Sequence, residues 1–224
     1  MKHTFFLLLA AIVLTCCASQ PPKAKMTLDV YWRYLVENGQ GHVETTFSAQ
    51  KTPDAKPLPV QLPNPPSFMN DAMRLRPVQG ITYLLDKTHG FETNALLTWS
   101  DQEGSAHSLP LKMEELYKIN FTPAMLSHRT ASRFQWTGAP LGPSETLLFM
   151  WENAQKRETL PMEIIGAPGS TGIDFPAAQI AKLSPGKWTL YVVRKKIERG
   201  EAGDTAYEAV IEYFTPSIVV EVTP

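Results

Sequence analysis

Apolar and polar residues alternate along much of the chain, with the period of two that is typical of half-buried β-strands. The clearest alternation lies in residues 26–34 and 42–49, which are rich in aromatic and β-branched side chains. Between these runs, Asn38 precedes Gly39, and both residue types tolerate the positive φ of a tight turn. The pattern predicts a β-hairpin here.

Further alternating runs predict strands in both halves of the chain. In the first half they cover residues 80–86, 92–100 and 105–113. In the second half they cover residues 132–138, 146–152, 160–165, 187–197, 205–215 and 217–222. Six prolines between residues 53 and 66 predict an extended connection, since proline is excluded from helices and central strands. One short helix is predicted over residues 177–183.

The segment LSPGKWTLYV, residues 183–192, resembles bacterial immunoglobulin-like domains, in which a Leu-x-Pro-Gly corner leads into a long strand. The resemblance covers about residues 133–222. Together with the strand pattern, it implies an all-β fold with two immunoglobulin-like β-sandwich domains, residues 26–122 and 123–224. A single larger sandwich is the alternative. This fold does not by itself imply a function.

The start of the chain has the pattern of an export signal. A lysine at position 2 precedes the apolar run of residues 5–14, which at about ten residues is too short to span a bilayer of about 30 Å. Small and polar residues follow this run. The pattern predicts a signal peptide over residues 1–16.

The segment LTCCAS, residues 14–19, resembles the lipobox of bacterial lipoproteins, in which small residues precede a cysteine that is lipidated and becomes the mature N-terminus. The resemblance implies lipid attachment at Cys17. Cys16 is the alternative acceptor, but it would place Leu14 and Thr15 at the small positions and fits less well. An ordinary secreted protein that is cleaved nearby is the other interpretation.

The count of cysteines agrees with a lipid anchor. The chain has two cysteines and both lie in this segment, so the body cannot form an internal disulfide even in an oxidising compartment. Residues 17–25 contain two adjacent prolines and predict a stiff, solvated tether. Because Ala18 rather than Asp follows the acceptor, the resemblance implies a lipid-anchored protein of the bacterial cell envelope, at the outer membrane.

The charge balance excludes one class of partner. The chain has 21 Lys and Arg residues against 22 Asp and Glu residues, so it lacks the basic excess that neutralises a phosphate backbone. Nucleic acid is therefore not an expected partner. Hydrophobic residues make up 43% of the chain, which is enough for packed cores and excludes a wholly disordered protein.

The motifs of common enzyme classes do not match. The glycine cluster at residues 166–172 has Ile173 and Asp174 where a phosphate loop needs Lys and Ser or Thr, so it predicts an exposed loop. His42 and Glu44 share one face of a strand, but no pair of histidines has the spacing of a zinc motif. We expect solvated histidines, no metal and no cofactor.

Three further features have simple structural interpretations. Flat indole rings can stack on sugars, but four tryptophans lie in apolar strands and are expected to fill the space between sheets: Trp99, Trp136, Trp151 and Trp188. Residues 204–206, Asp-Thr-Ala, resemble a short acceptor motif for O-glycosylation in some Bacteroidota. The charged run at residues 194–201 predicts a solvated hairpin.

These observations predict a membrane-anchored envelope lipoprotein that acts as a non-catalytic binding or assembly module. Its expected partners are the lipid bilayer, through the N-terminal acyl anchor, and an envelope protein or glycan. No catalytic motif is present, so an enzyme is not expected. The alternative is a secreted or periplasmic hydrolase with its active site in inter-strand loops, because distant residues can converge without leaving a motif.

Overall fold

A computed structural model describes residues 25–50, 54–76 and 80–224. The predicted signal peptide, Cys16, Cys17 and all of the predicted tether except Lys25 lie outside the described residues. Strands contain 63% of the described residues and helices 4%. The predicted all-β class is therefore confirmed.

The strands of the first half begin with the predicted hairpin. They are β1 (Lys25–Leu35), β2 (Gln40–Gln50), β3 (Leu58–Pro59), β4 (Ser67–Phe68), β5 (Asp71–Ala72), β6 (Arg74–Arg76), β7 (Thr82–Thr88), β8 (Asn94–Ser100) and β9 (Ala106–Lys112). A 3-10 helix, Val36–Asn38, joins β1 to β2. Gly39 ends this helix with a φ of 62°, a conformation that glycine adopts without steric cost.

The second half continues with strands and one short helix, α1 (Ala177–Ile180). Its strands are β10 (Leu116–Thr122), β11 (Leu126–Ser127), β12 (Ser132–Gly138), β13 (Glu145–Asn153), β14 (Glu158–Ile164), β15 (Gly172–Phe175), β16 (Gly186–Ala202), β17 (Thr205–Phe214) and β18 (Ile218–Thr223). Within the described ranges, no helix is long and apolar enough to cross a membrane.

The first sandwich packs a sheet that contains β17, β1, β2, β7 and β6 against a sheet of β5, β4, β8 and β9. Aromatic side chains join the two layers. The ring centroids of Trp32 on β1 and Phe68 on β4 are 5.3 Å apart, and those of Phe47 on β2 and Trp99 on β8 are 5.6 Å apart. Side chains that alternate toward this space form the core.

The second sandwich packs strands β18, β16, β13 and β14 against a sheet of β10, β12 and β15. The ring of Phe149 on β13 lies at its centre. Its centroid is 4.8 Å from that of Phe134 on β12 and 4.7 Å from that of Phe175 on β15. Both pairs meet edge to face, which is the favourable geometry for aromatic rings.

Strand β16 belongs to both sandwiches. Its first residues, 186–190, pair with β18, and its last residues, 193–202, pair with β17. Strand β17 then pairs in parallel with β1 over ten positions, from Met26 with Thr205 to Leu35 with Phe214. Strands from both halves of the chain therefore share one sheet. We call β16 and β17 the shared hairpin; the division near residue 122 stays a prediction.

Seven strands lie where the alternation of apolar residues predicts none: β3, β4, β5, β6, β10, β11 and β15. Lys118 in β10 has a φ of 52°, and the pairing register with β12 shifts at this point, so the alternation is interrupted. Strand β15 begins inside the predicted glycine loop, where Gly172 is buried against β12. The expectation of an exposed loop at residues 166–172 therefore fails at Gly172, whereas residues 166–171 lie between strands and are exposed or half-buried.

Candidate functional site

A polar site that joins an aspartate to a histidine begins at the turn between β8 and β9. Asp101 opens this turn, and its Oδ1 accepts hydrogen bonds from the backbone N–H groups of Glu103 and Ser105, both at 2.9 Å. Asp is favoured at such a position because its side chain can bind the backbone two residues further along the chain. The turn thereby holds the carboxylate in one orientation.

The other oxygen of this carboxylate binds His107. Asp101 Oδ2 is 3.0 Å from His107 Nε2, and the two side chains are only 13% and 14% exposed. Because Trp99 lies opposite His107 in the β8–β9 ladder, the imidazole stacks on the indole, with centroids 5.4 Å apart. The carboxylate of Asp101 thus fixes one edge of the imidazole ring, and the indole of Trp99 covers one of its faces.

The second ring nitrogen of His107 faces the tip of the shared hairpin. A Cβ atom at Gly203 would lie 2.8 Å from His107 Nδ1, so only glycine allows this approach. Gly203 also has a φ of 61°, which favours glycine independently. The hairpin tip and the β8–β9 turn are therefore packed together at this end of the first sandwich.

A cavity of about 200 Å³ lies beside His107, where the β8–β9 turn, the hairpin tip and the start of β1 meet. We call it the hairpin-tip cavity. Its walls include Met26, Glu103, Asp204 and Thr205. A second cleft, of about 400 Å³, also borders His107 and is lined by the hydroxyl-bearing residues Ser67, Thr98, Ser100 and Ser108.

An oriented Asp–His pair can hold an imidazole for general acid–base chemistry. For such chemistry, a nucleophile would have to form a hydrogen bond with the second ring nitrogen, His107 Nδ1. Among the described residues, no hydroxyl or thiol forms a hydrogen bond with His107 Nδ1. In the part of the chain that the structure describes, the Asp101–His107 pair therefore lacks a placed nucleophile.

The hydrogen bond from His107 is the main cause that holds the pKa of Asp101 below its usual range, while burial acts in the opposite direction. The turn N–H groups lower the pKa further. Because the folded-state pKa is lowered, this stabilisation is complete above the pKa of an unfolded aspartate, about 4, and is lost as the pH falls through the folded pKa.

We therefore expect Asp101→Asn to lower the stability of the protein at pH 7, and the difference from the wild type to narrow as the pH falls below about 4. Urea unfolding at a series of pH values measures this difference. Asp54→Asn is the matched control, since Asp54 is an exposed loop aspartate. If the loss of unfolding free energy in Asp101→Asn stays constant down to the lowest pH, the lowered pKa of Asp101 is contradicted.

The surroundings of His42 differ from those of a metal-binding histidine. Its Nδ1 lies 2.5 Å from Asp86 Oδ1 and its Nε2 lies 3.2 Å from Glu44 Oε1, so both ring nitrogens already have partners. Across the described ranges, no group of three or more His, Cys, Asp or Glu side chains is arranged to hold a metal ion. The expectation that the histidines are solvated is wrong for His42 and His107, which are mostly buried.

The other predicted positions divide into one confirmation and two corrections. The tryptophans are buried between the sheets, as predicted: Trp99, Trp136, Trp151 and Trp188. Thr205 of the glycosylation-like motif is only 2% exposed and lines the hairpin-tip cavity, so the fold does not present it for glycan attachment. Arg194, at the start of the run predicted to be solvated, is only 3% exposed and binds Glu145.

Comparisons with known proteins add little to this geometry. No protein-family model matches the chain, and no curated protein matches it. A search of solved structures finds fibronectin(III)-like modules of Clostridium thermocellum CbhA, with 10% sequence identity over 88% of this chain and 94% of that chain. The TM-score is 0.23, which is too low for the likeness to carry an argument about this chain.

Proposed function

We propose that this protein is a bacterial envelope lipoprotein, anchored by a lipid on Cys17, whose sandwiches form a non-catalytic binding or assembly module. The observation that carries the proposal is the shared hairpin. Strand β16 runs through both sandwiches, and β17 joins it to β1, where the described chain begins. Such a continuous sheet suits a protein that holds a binding surface at a fixed distance from its anchor.

The direction of the strands supports one orientation. Met26 at the start of β1 pairs with Thr205 beside the hairpin tip, whereas β18 and the first residues of β16 lie in the second sandwich. Lys25 lies eight positions after Cys17, and a fully extended tether over that span reaches at most about 29 Å. A lipid on Cys17 would therefore keep the hairpin tip near the membrane and direct the second sandwich away from it.

The anchor is tested by labelling in bacteria with a fatty-acid analogue. We expect the wild-type protein to take up the label and to fractionate with membranes. Cys17→Ser should abolish the label, because the thiol is the acceptor, and should release or stall the precursor. Cys16→Ser is the matched control and should keep the label. Unlabelled wild-type protein that stays soluble would contradict the anchor, and labelling lost only in Cys16→Ser would move the acceptor to Cys16.

The second candidate function is a hydrolase, and the Asp101–His107 pair beside the hairpin-tip cavity is the observation that favours it. A screen of the full-length protein against ester, glycoside and peptide substrates tests this alternative. Turnover that is lost in His107→Ala and kept in His89→Ala would support the hydrolase over the binding module. His89 is a matched control because it is also a half-buried histidine with a hydrogen bond and an aromatic neighbour.

A further inference from the structure

Three loops meet at the end of the second sandwich that lies furthest from the start of β1. They are the connections between the longer strands, residues 123–131, 154–157 and 176–185, and we call them the distal loops. The Nζ of Lys156 donates a hydrogen bond of 2.8 Å to the carbonyl oxygen of Pro185, which joins the second loop to the third. The Nε2 of His128 lies 2.8 Å from the carbonyl oxygen of Leu183, which joins the first loop to the third. The distal loops thus form one continuous surface.

The charges of this surface are all of one sign. The distal loops contain four basic residues and no acidic residue. The four are Arg129, Lys156, Arg157 and Lys182, and each of them is exposed. Lys187, at the start of β16, lies next to the third loop. Acidic side chains appear only at the border, where Glu158 accepts a hydrogen bond from Ser184 and Glu221 lies opposite Lys187 in the ladder.

The other end of the molecule has the opposite balance. In the described parts of its loops, residues 54–57, 101–105 and 203–204, there are four acidic residues and one basic residue, Lys56. The near-neutral total charge of the chain therefore conceals a separation of charge along its length. A one-signed surface of this kind selects partners of the opposite charge and speeds their encounter.

The uncharged part of the surface indicates which anionic partner fits. Met125 in the first distal loop is 54% exposed, and exposed methionine and arginine are enriched at protein–protein interfaces. Sugar recognition commonly uses exposed aromatic faces, but all five tryptophans of the chain are buried. The observations therefore favour a protein partner over a glycan.

We propose that the distal loops are a docking surface for an acidic segment of a partner protein, with Met125 in contact with an apolar side chain of that segment. This inference rests on the proposed role as a binding module and names the chemistry of its partner. It does not depend on the lipid, so its test uses a readout that loss of the anchor would not change.

The test measures the affinity of the full-length protein, in a neutral detergent, for a short synthetic peptide of Glu and Leu. The distal variant carries Arg129→Gln, Lys156→Gln, Arg157→Gln and Lys182→Gln. The matched control removes four exposed cations elsewhere, with Lys56→Gln, Arg74→Gln, Arg76→Gln and Lys112→Gln. Circular dichroism and urea unfolding establish that both variants keep the fold.

We expect the distal variant to bind the peptide about tenfold or more weakly than the wild type, and the control variant to bind it less than about twofold more weakly. Added salt should weaken peptide binding by the wild type, because it screens the charges. Met125→Ser should weaken binding of the Glu and Leu peptide but not of an all-Glu peptide. Equal losses in the distal and control variants, or no binding by the wild type, would overturn the proposal. Preferential binding to phosphatidylglycerol over phosphatidylcholine vesicles that is lost in the distal variant would also overturn it in favour of a lipid surface, since an acyl anchor alone inserts into both kinds of vesicle.

Discussion

Arg194→Ala should destabilise the protein by about 3–5 kcal/mol, because it removes one partner of a buried ion pair and leaves the other charge uncompensated. Arg194 lies on β16, where this strand passes from the second sandwich toward the first. Its Nε and Nη2 both donate to Glu145 Oε2, and both side chains are nearly inaccessible to water. The urea midpoint at pH 7 measures the loss.

The same guanidinium holds the loop that precedes β13. Arg194 Nη1 donates to the carbonyl oxygen of Ala139 at 2.9 Å, and Nη2 donates to that of Pro140 at 2.7 Å. Glu145 Oε2 in turn accepts a hydrogen bond of 2.6 Å from the N–H of Gly142. Removal of Arg194 therefore takes one donor from each of two carbonyl oxygens and leaves the Glu145 carboxylate with the Gly142 N–H but without its cation. Buried polar groups that lose partners in this way are costly.

Arg199→Ala on the same strand is the matched control. Arg199 also donates to a glutamate, Glu208, but the two side chains are 71% and 43% exposed. Exposed ion pairs contribute at most about 1 kcal/mol, so the control should change stability by no more than that. Equal effects of Arg194→Ala and Arg199→Ala would mean that the Arg194–Glu145 pair is not buried in solution.

Trp32→Ala is the second change with a large expected effect, about 3–5 kcal/mol, because it removes a large side chain that is only 1% exposed. The indole packs edge to face against Phe68 of the opposite sheet, so its loss opens a cavity between the two layers. Trp32→Phe should cost less, since an aromatic ring still fills part of the space. Urea unfolding with detection by circular dichroism measures both.

Leu96→Ala on β8 is the control for this change. Leu96 belongs to the opposite sheet, but its side chain is substantially exposed. Surface truncations away from a core usually change stability by within about 0.5 kcal/mol. A loss for Trp32→Ala no larger than that for Leu96→Ala would contradict the packing between the two sheets of the first sandwich.

The strands could be predicted from the sequence where the alternation is regular. β12 has the predicted bounds, and the predicted hairpin at β1 and β2 is confirmed, because local pattern and turn chemistry determine both elements. The full length of β16 could not be predicted. Its last residues, 198–202, are mainly polar, and they form a strand because β17 supplies hydrogen-bond partners along them.

The pairing of β1 with β17 could not be predicted either. About 180 residues separate the two strands, and alternation within a strand indicates which face is buried but not which strand lies beside it. The Arg194–Glu145 pair was hidden for a similar reason. Arg194 follows the apolar residues Val192 and Val193, and its charge indicates solvent unless a distant carboxylate is known to face it.

The Asp101–His107 pair left a weak signal in the sequence. Asp101 opens a turn, and a β8–β9 hairpin with the observed register places His107 beside Trp99, next to the start of that turn. Turn chemistry and strand register together could have brought the two side chains close. The approach of Gly203 to His107 left no such signal, because it depends on where the shared hairpin ends.

The proposed function depends most on the claim that the shared hairpin makes both sandwiches one body. Native-state hydrogen exchange of backbone amides in β17 and in β13 tests it, with wild type and Trp32→Ala compared. Because β13 and β17 both pair with β16, we expect Trp32→Ala to lower the opening free energies of the two strands by the same amount. Loss of protection in β17 with unchanged protection in β13 would show that the sandwiches open independently and would contradict the account.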